Sequence, residues 1–302
     1  MYDRAYGIIE TLAPLHVGAT AGEESGNLNL IFRDQFTQTG IIPGSSIRGR
    51  FKADLRRLKG DEEGKTTAEK WYGKEAPSKS DSTDSATETG DSKQTTESVI
   101  KFEYASIVWL PVFCPGQPIV WVSCPRLLKR YQRIAGEHAQ KNGRLLKDLT
   151  VPDVGAYSST LKLLADKKPN KRKLFFNFGF LELGQEATLT SDWLPTDENL
   201  PAVVVEDDEM GLIHDMALYR QTRIAMEKEQ KVVANFFGVE ALPEGTILVF
   251  PIAIRKTKDQ ETWDPFDSGL KPHEVYLGGL ESIGFGNCRV TVKGVKAGEQ
   301  ES

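Results

Sequence analysis

Ile42-Pro43-Gly44-Ser45-Ser46-Ile47-Arg48-Gly49-Arg50 is a tight turn that runs straight into a basic helix. Pro43-Gly44 breaks the extended run before it, and Ser45 or Ser46 is placed to cap the helix that follows. Ile47, Phe51, Leu55 and Leu58 recur at steps of three and four, the spacing of one buried stripe. The other faces carry Arg48, Arg50, Lys52, Arg56, Arg57 and Lys59 against a single acid, Asp54. A helix N-terminus offers unpaired amides and a positive dipole end, so a nucleic-acid phosphate can sit there and the arginines can extend the site along a polyanion. An amphipathic helix with a solvated basic face accounts for the same residues without a ligand.

Working outward, the strands announce themselves by composition. Tyr6 to Leu12 reads as a first strand, and Ile100 to Val112 and Pro118 to Ser123 as a pair joined by the Cys114-Pro115-Gly116-Gln117 turn. Pro125 to Ile134 reads as a helix with Leu127, Leu128 and Tyr131 on one side and Arg126, Lys129, Arg130 and Arg133 on the others. A strand is expected over Leu174–Leu181, with Phe175, Phe176, Phe178 and Phe180 mostly in the core, and further strands over Thr246–Ile254 and Cys288–Val292. Leu218 to Val233 reads as a β-hairpin closed by Glu227-Lys228-Glu229-Gln230, after an acidic, poorly periodic stretch from Asp192 to His214. Gly73 to Ser98 holds no Leu, Ile, Val or Phe and is filled with Ser, Thr, Asp, Glu and Lys, so it is expected to be a disordered insertion. The order strand, helix, strand, strand, helix, strand fits an α+β sandwich of the ferredoxin or RNA-recognition kind; parallel βαβ repeats are not evident.

The 302 residues suffice for one large core or two small ones, and 39% hydrophobic with 27% charged residues is ordinary for a globular chain. The net charge of −5 means that any nucleic-acid contact comes from local patches such as residues 48–59. Cys114, Cys124 and Cys288 lie outside any metal-binding spacing and are expected to be reduced core residues. With no signal-like start after Met1 and no bilayer-length apolar run, the expectation is a soluble, cytoplasmic protein without membrane contact.

Four patches resemble the RAMP superfamily of CRISPR effector proteins, and more narrowly the repeated backbone subunit of type III-B (Cmr) complexes. They are Leu15-His16-Val17-Gly18; Thr39 through Gly49; Trp109-Leu110-Pro111-Val112 with Val120 through Arg126; and Gly278 through Gly286, which reads Gly-Gly-Leu-Glu-Ser-Ile-Gly-Phe-Gly. The resemblance runs from about residue 6 to 292. It implies a single RAMP domain over residues 1–302: a modified ferredoxin-like or RNA-recognition-motif-like sheet with helices on one face, a β-hairpin thumb within 192–233, and the insertion at 73–98. It also implies stacking with further copies and other type III effector subunits along a guide CRISPR RNA that pairs with target RNA.

On that resemblance the guide is gripped by Ser45, Ser46, Arg48, Arg50, Lys52 and Arg56 and by the bend containing Gly278, Gly279, Gly284 and Gly286, whose backbone amides can approach phosphates. Arg220 and Arg223, beside Tyr219, touch displaced bases or pack on the sheet. Related subunits cut target RNA with a metal ion held by an aspartate expected near residue 28, but Gly26-Asn27-Leu28-Asn29-Leu30 has no carboxylate. Glu23, Glu24 and Asp34 are the available substitutes, with Mg2+ as cofactor only if that activity exists. His16 either orients a phosphate or acts in acid–base chemistry, or else is a strand-end histidine satisfied by backbone. A metal-independent guide-processing nuclease using His16 is a further reading.

Overall fold

The computed structural model describes residues 2–18, 28–74, 96–165, 172–176, 179–183, 186–196, 198–226, 233–256 and 261–295. The first elements are β1 (Tyr2–Thr11), β2 (Leu28–Asn29), β3 (Ile41–Ile42), α1 (Gly44–Lys59), α2 (Asp61–Tyr72), β4 (Ile100–Phe102), β5 (Ala105–Cys114) and β6 (Gln117–Ser123). The middle of the chain forms α3 (Pro125–Ala135), β7 (Gln140–Lys141), β8 (Arg144–Leu145), β9 (Leu164–Ala165), β10 (Arg172–Phe176), β11 (Gly179–Leu183) and β12 (Ala202–Val204). There follow α4 (Met210–Ala217), β13 (Tyr219–Met226), β14 (Val233–Ala241), β15 (Ile247–Arg255), β16 (His273–Tyr276) and β17 (Asn287–Lys293).

The main sheet runs β12-β6-β5-β15-β1-β17-β16, with β3 on β5 and β4 on β15. β1 lies between β15 and β17, antiparallel to both. Its residues Ala5 to Ile9 are buried on both faces, and for that reason they read as a continuous run rather than an alternation. On one face Ala5, Ile9, Phe250 and Ile252 pack under Ile47, Phe51 and Leu55 of α1. Gly7 leaves room there, since a Cβ would sit 2.1 Å from the Phe250 ring. On the other face Tyr6, Ile8 and Val249 meet Leu128, Tyr131 and Ala135 of α3. The expectation of helices on one face therefore holds for α1 and α2, whereas α3 covers the opposite face.

Several sequence expectations need correction. Leu58 is 51% exposed, because the last turn of α1 carries it with Arg56 and Arg57 into solvent. The strand expected over 174–181 is two strands, β10 and β11, which pair antiparallel with Phe176 opposite Gly179. In consequence Phe176 is buried but Phe175 and Phe180 are exposed, against the core placement expected of both; Phe178 lies outside the described residues. Within the acidic, poorly periodic stretch 192–214, β12 pairs parallel with β6, and α4, which begins there, packs against β5. The hairpin expected over 218–233 is longer in the structure: β13 pairs with β14, which starts at Val233, where the expected hairpin ended, and runs to Ala241, opposite Tyr219. Most of the insertion expected at 73–98 lies outside the described residues. Its ends meet: the Lys74 amide donates to Thr96 Oγ1 at 2.8 Å, and the Val99 amide to the Trp71 carbonyl at 3.0 Å. Among the described residues no helix is long and apolar enough to cross a membrane, and the three cysteines are free and buried.

Candidate nucleic-acid interface

The start of α1 is bare. Pro43 occupies the N-cap position with no side-chain hydrogen bond, and its carbonyl accepts from the Ser46 amide at 3.0 Å and the Ile47 amide at 3.3 Å. The cap expected from Ser45 or Ser46 is absent, because the helix begins one residue earlier, at Gly44. Gly44 is required at that point: a Cβ would lie 2.5 Å from the Phe102 carbonyl oxygen, so the helix start presses against β4. No acid stands in the first turn, which leaves the positive dipole end uncompensated.

The basic residues of α1 divide into two sets. Arg48 donates to the Tyr72 carbonyl, and buried Lys52 donates through Nζ to the Gly73 carbonyl at 3.1 Å. Both finish the C-terminal end of α2, where helix carbonyls lack partners. Both thus have partners within the protein, which the sequence reading did not anticipate. Arg50 and Arg56 point elsewhere: Arg56 is exposed, and Arg50 pairs with Asp54 at 2.8 Å and with Glu281 at 3.4 Å.

That last contact joins α1 to the glycine-rich bend. Gly278 has φ +76°, and a Cβ there would stand 2.1 Å from the His16 carbonyl oxygen. Gly286 has φ +86° and meets the Leu277 carbonyl in the same manner. These two shape the bend. Gly279 and Gly284 have nothing within 4 Å of a Cβ position, so they leave surface that a flat or bulky ligand can approach. Their amides are internal, however: Gly279 donates to His16, Gly284 to Glu281 and Gly286 to Pro14. The amides of Gly279, Gly284 and Gly286, expected to approach phosphates, thus already have carbonyl partners within the chain.

His16 lies behind the bend, almost buried. Its Nδ1 is 2.6 Å from the Glu240 carbonyl oxygen, which can only accept, so the neutral ring carries its proton on Nδ1 and Nε2 is left as an acceptor. A Cβ on Gly18 would come 3.1 Å from Nε2, so glycine keeps that side of the ring open. Glu240 is itself clamped. One carboxylate oxygen takes Arg33 Nη2 at 3.1 Å and the other takes Arg220 Nη2 at 3.1 Å. Arg33 also pairs with Asp215. Next to it, His214 Nε2 accepts the Gly40 amide at 2.9 Å; burial, followed by the charge of Arg33, holds His214 down to about 4. The sequence reading missed Arg33, His214, Asp215 and Glu240 as a group, although a buried Glu between arginines is a tertiary arrangement that no local spacing encodes.

Tyr219 meets Phe285 edge to face at 5.8 Å, which ties the hairpin base to the glycine-rich bend. Arg223 lies over Phe237 at 5.3 Å, and Arg220 serves Glu240, so both have partners within the hairpin. Asp34 accepts the Phe36 and Thr37 amides, the Thr37 hydroxyl and the Tyr104 hydroxyl. These bonds outweigh its partial burial and hold its carboxyl below the ordinary range. Asp34 therefore holds the turn that carries Phe36 and Thr37. Glu23 and Glu24 lie outside the described residues. Among the described residues no group of three His, Cys, Asp or Glu side chains fits a metal ion.

Comparison with known proteins bears on the family and the fold. The RAMP superfamily model matches residues 8–289. The chain belongs to the RAMP superfamily. The RAMP chain described here shares its fold with a subunit of the type III-B Cmr-beta complex in its apo state, at TM-score 0.66 and 19% identity over 96% of this chain and 97% of that one. Cmr-beta bound to cognate target RNA gives TM-score 0.64 at 20% identity, covering 96% of each chain. Oligomeric Cmr4 from Pyrococcus furiosus gives 0.61 at 16%, covering 97% of this chain and 99% of that one. A search of curated proteins found no match.

Proposed function

We propose that this RAMP protein is a guide-RNA-binding backbone subunit of a type III CRISPR ribonucleoprotein. One RAMP domain over residues 1–302 stacks with further copies and other effector subunits along the guide and positions complementary target RNA. The observation that carries this reading is the convergence of the uncapped start of α1, exposed basic residues and the glycine-rich bend, bridged by Arg50 and Glu281 beside His16. Phosphate contacts of this kind carry no sequence information, which suits a subunit that must accept any guide. The β13–β14 hairpin serves as the thumb, with Arg220 and Arg223 at its base. Membrane contact plays no part, and the cytoplasm is where such a complex would meet its RNA.

Residues 26–30 carry no carboxylate where the resemblance expects the catalytic aspartate, and Asp34 is engaged by its own turn, while Glu23 and Glu24 lie outside the described residues. We therefore read the chain as a binding subunit rather than a magnesium-dependent endoribonuclease. Magnesium-dependent cleavage of matched target RNA by the assembled complex, lost on replacing Glu23 or Glu24, would reverse that choice. The binding role is tested with Arg50→Glu combined with Arg56→Glu. The expected result is weaker RNA binding with a salt slope reduced by about one per phosphate contact removed, and loss of co-purifying small RNAs. Unchanged RNA affinity would refute the phosphate grip.

A further inference from the structure

A second basic surface lies on α3, across the sheet from α1. Arg126, Lys129, Arg130 and Arg133 stand at steps of three, four and seven and so share one side of the helix. With Asp34, Phe36, Tyr104 and Asp207 they line an open groove of about 750 Å3, within the roughly 300–1,000 Å3 typical of ligand sites. Arg130 is fixed: Nε donates to Ser106 Oγ at 2.8 Å, and the guanidinium lies 4.1 Å from the Tyr104 ring centre. Arg126, Lys129 and Arg133 are exposed, and among the described residues no carboxylate pairs with their side chains.

The two acids in the groove do not cancel this charge by pairing with it. Asp207 accepts the Arg126 backbone amide at 2.9 Å, and Asp34 accepts the amides of its own turn. The Asp34 turn has a visible product: it holds up Phe36, whose side chain is 82% exposed. Three unpaired cations beside an anchored, solvent-facing aromatic ring are the ingredients of single-strand nucleic-acid binding, in which phosphates meet cations and a base stacks on a ring. The groove also adjoins the start of α1. Gly44 packs on the Phe102 and Glu103 backbone, Tyr104 and Ser106 follow directly, and β3 pairs with Ala105 and Ser106.

We infer that the α3 groove is a second single-stranded RNA contact, which carries a strand from the α1 start around the β3–β5 edge onto the opposite face of the sheet. The inference rests on the RNA-binding reading above. From Arg126 to Arg133 the helix rises about 10 Å, the length of about three stacked nucleotides. Arg126, Lys129 and Arg133 hold phosphates and Phe36 stacks on a base. An acidic polypeptide would use the cations but leave the ring without a role, so RNA is the better match.

The test is fluorescence anisotropy of the full chain with a labelled, mixed-sequence single-stranded RNA. Lys129→Glu with Arg133→Glu is expected to lower affinity about ten-fold or more and flatten the salt slope by about two, and Phe36→Ala to lower it about five-fold or more. Lys129→Gln with Arg133→Gln, a milder pair, should give the same direction with an unchanged melting temperature. Wild-type RNA binding that all three variants retain in full would overturn the groove while leaving the α1 site standing. No RNA binding by the wild type would remove the underlying reading and the groove with it. Poly-glutamate binding that is lost in the Lys129/Arg133 variants, with RNA binding intact, would also overturn it in favour of an acidic protein partner.

Discussion

Lys52 and Arg56 are four residues apart on α1, equally basic in sequence, and have different roles in the fold. Lys52 is buried and its Nζ satisfies the Gly73 carbonyl, whereas Arg56 is exposed. Lys52→Ala leaves a buried carbonyl without its donor and is expected to cost about 1–3 kcal/mol of stability with little direct effect on RNA. Arg56→Ala is expected to stay within about 0.5 kcal/mol in stability and to weaken RNA binding. Chemical denaturation alongside RNA anisotropy checks both; equal stabilities would show that the Lys52 contact is not structural. The stepping of Ile47, Phe51 and Leu55 revealed the buried stripe of α1 from sequence alone. Which of the cations were available was not legible, because α2 decides it and α2 packs on α1 only in three dimensions. Gly278 illustrates the same limit. Its glycine-rich setting marked a bend, but only the folded chain shows that the His16 carbonyl occupies the place of its missing side chain.

At the scale of elements, turns marked by proline and glycine were legible. The Cys114–Gln117 turn joins β5 to β6, with Gly116 at φ +90°, and Pro125 opens α3 as its first residue. The elements that escaped reading are those that neighbours stabilise. β12 is three residues long and exists because it pairs with the already buried β6. α4 seats Met210 and Ile213 in the core within a stretch that reads as acidic and irregular. The ends of the 73–98 segment are closed by α2 and β4, since Val99 and Ser98 both bond to Trp71. Replacing residues 75–95 with a short Gly/Ser linker is therefore expected to leave the fold and its melting temperature nearly unchanged, since a shorter loop closes ends already adjacent at modest entropic gain. Loss of soluble protein in that variant would show that the segment takes part in the core.

For the molecule as a whole, the ionic group that Arg33 forms around buried Glu240 ties α4, β14 and the 33–40 loop to the segment that holds His16. It should also set an acid limit on stability. His214 is held at about 4 in the folded chain, by burial first and by Arg33 next, against about 6.5 when unfolded. Between those values the unfolded chain binds a proton that the native chain refuses, so stability is full above about pH 6.5 and falls as pH drops toward 4. The expected loss is roughly 2 kcal/mol between neutral pH and about pH 5. His214→Gln, which retains an acceptor for the Gly40 amide, should flatten that slope; denaturant midpoints measured at both pH values decide it, and an unchanged slope would assign the acid sensitivity elsewhere.

The amino-acid order alone determined the strand and helix segments marked by apolar periodicity and turn residues, the basic character of α1 and α3, and the family pattern. These depend on residues a few positions apart, where backbone geometry dictates which side chains share a face. Tertiary structure decided which arginines are free, that α3 covers the face opposite α1, and that Glu240 and Asp34 are already held. Such outcomes depend on contacts between residues far apart in the chain, such as the 207 positions between Arg33 and Glu240, and burial and pairing are properties of the packed molecule rather than of any local stretch.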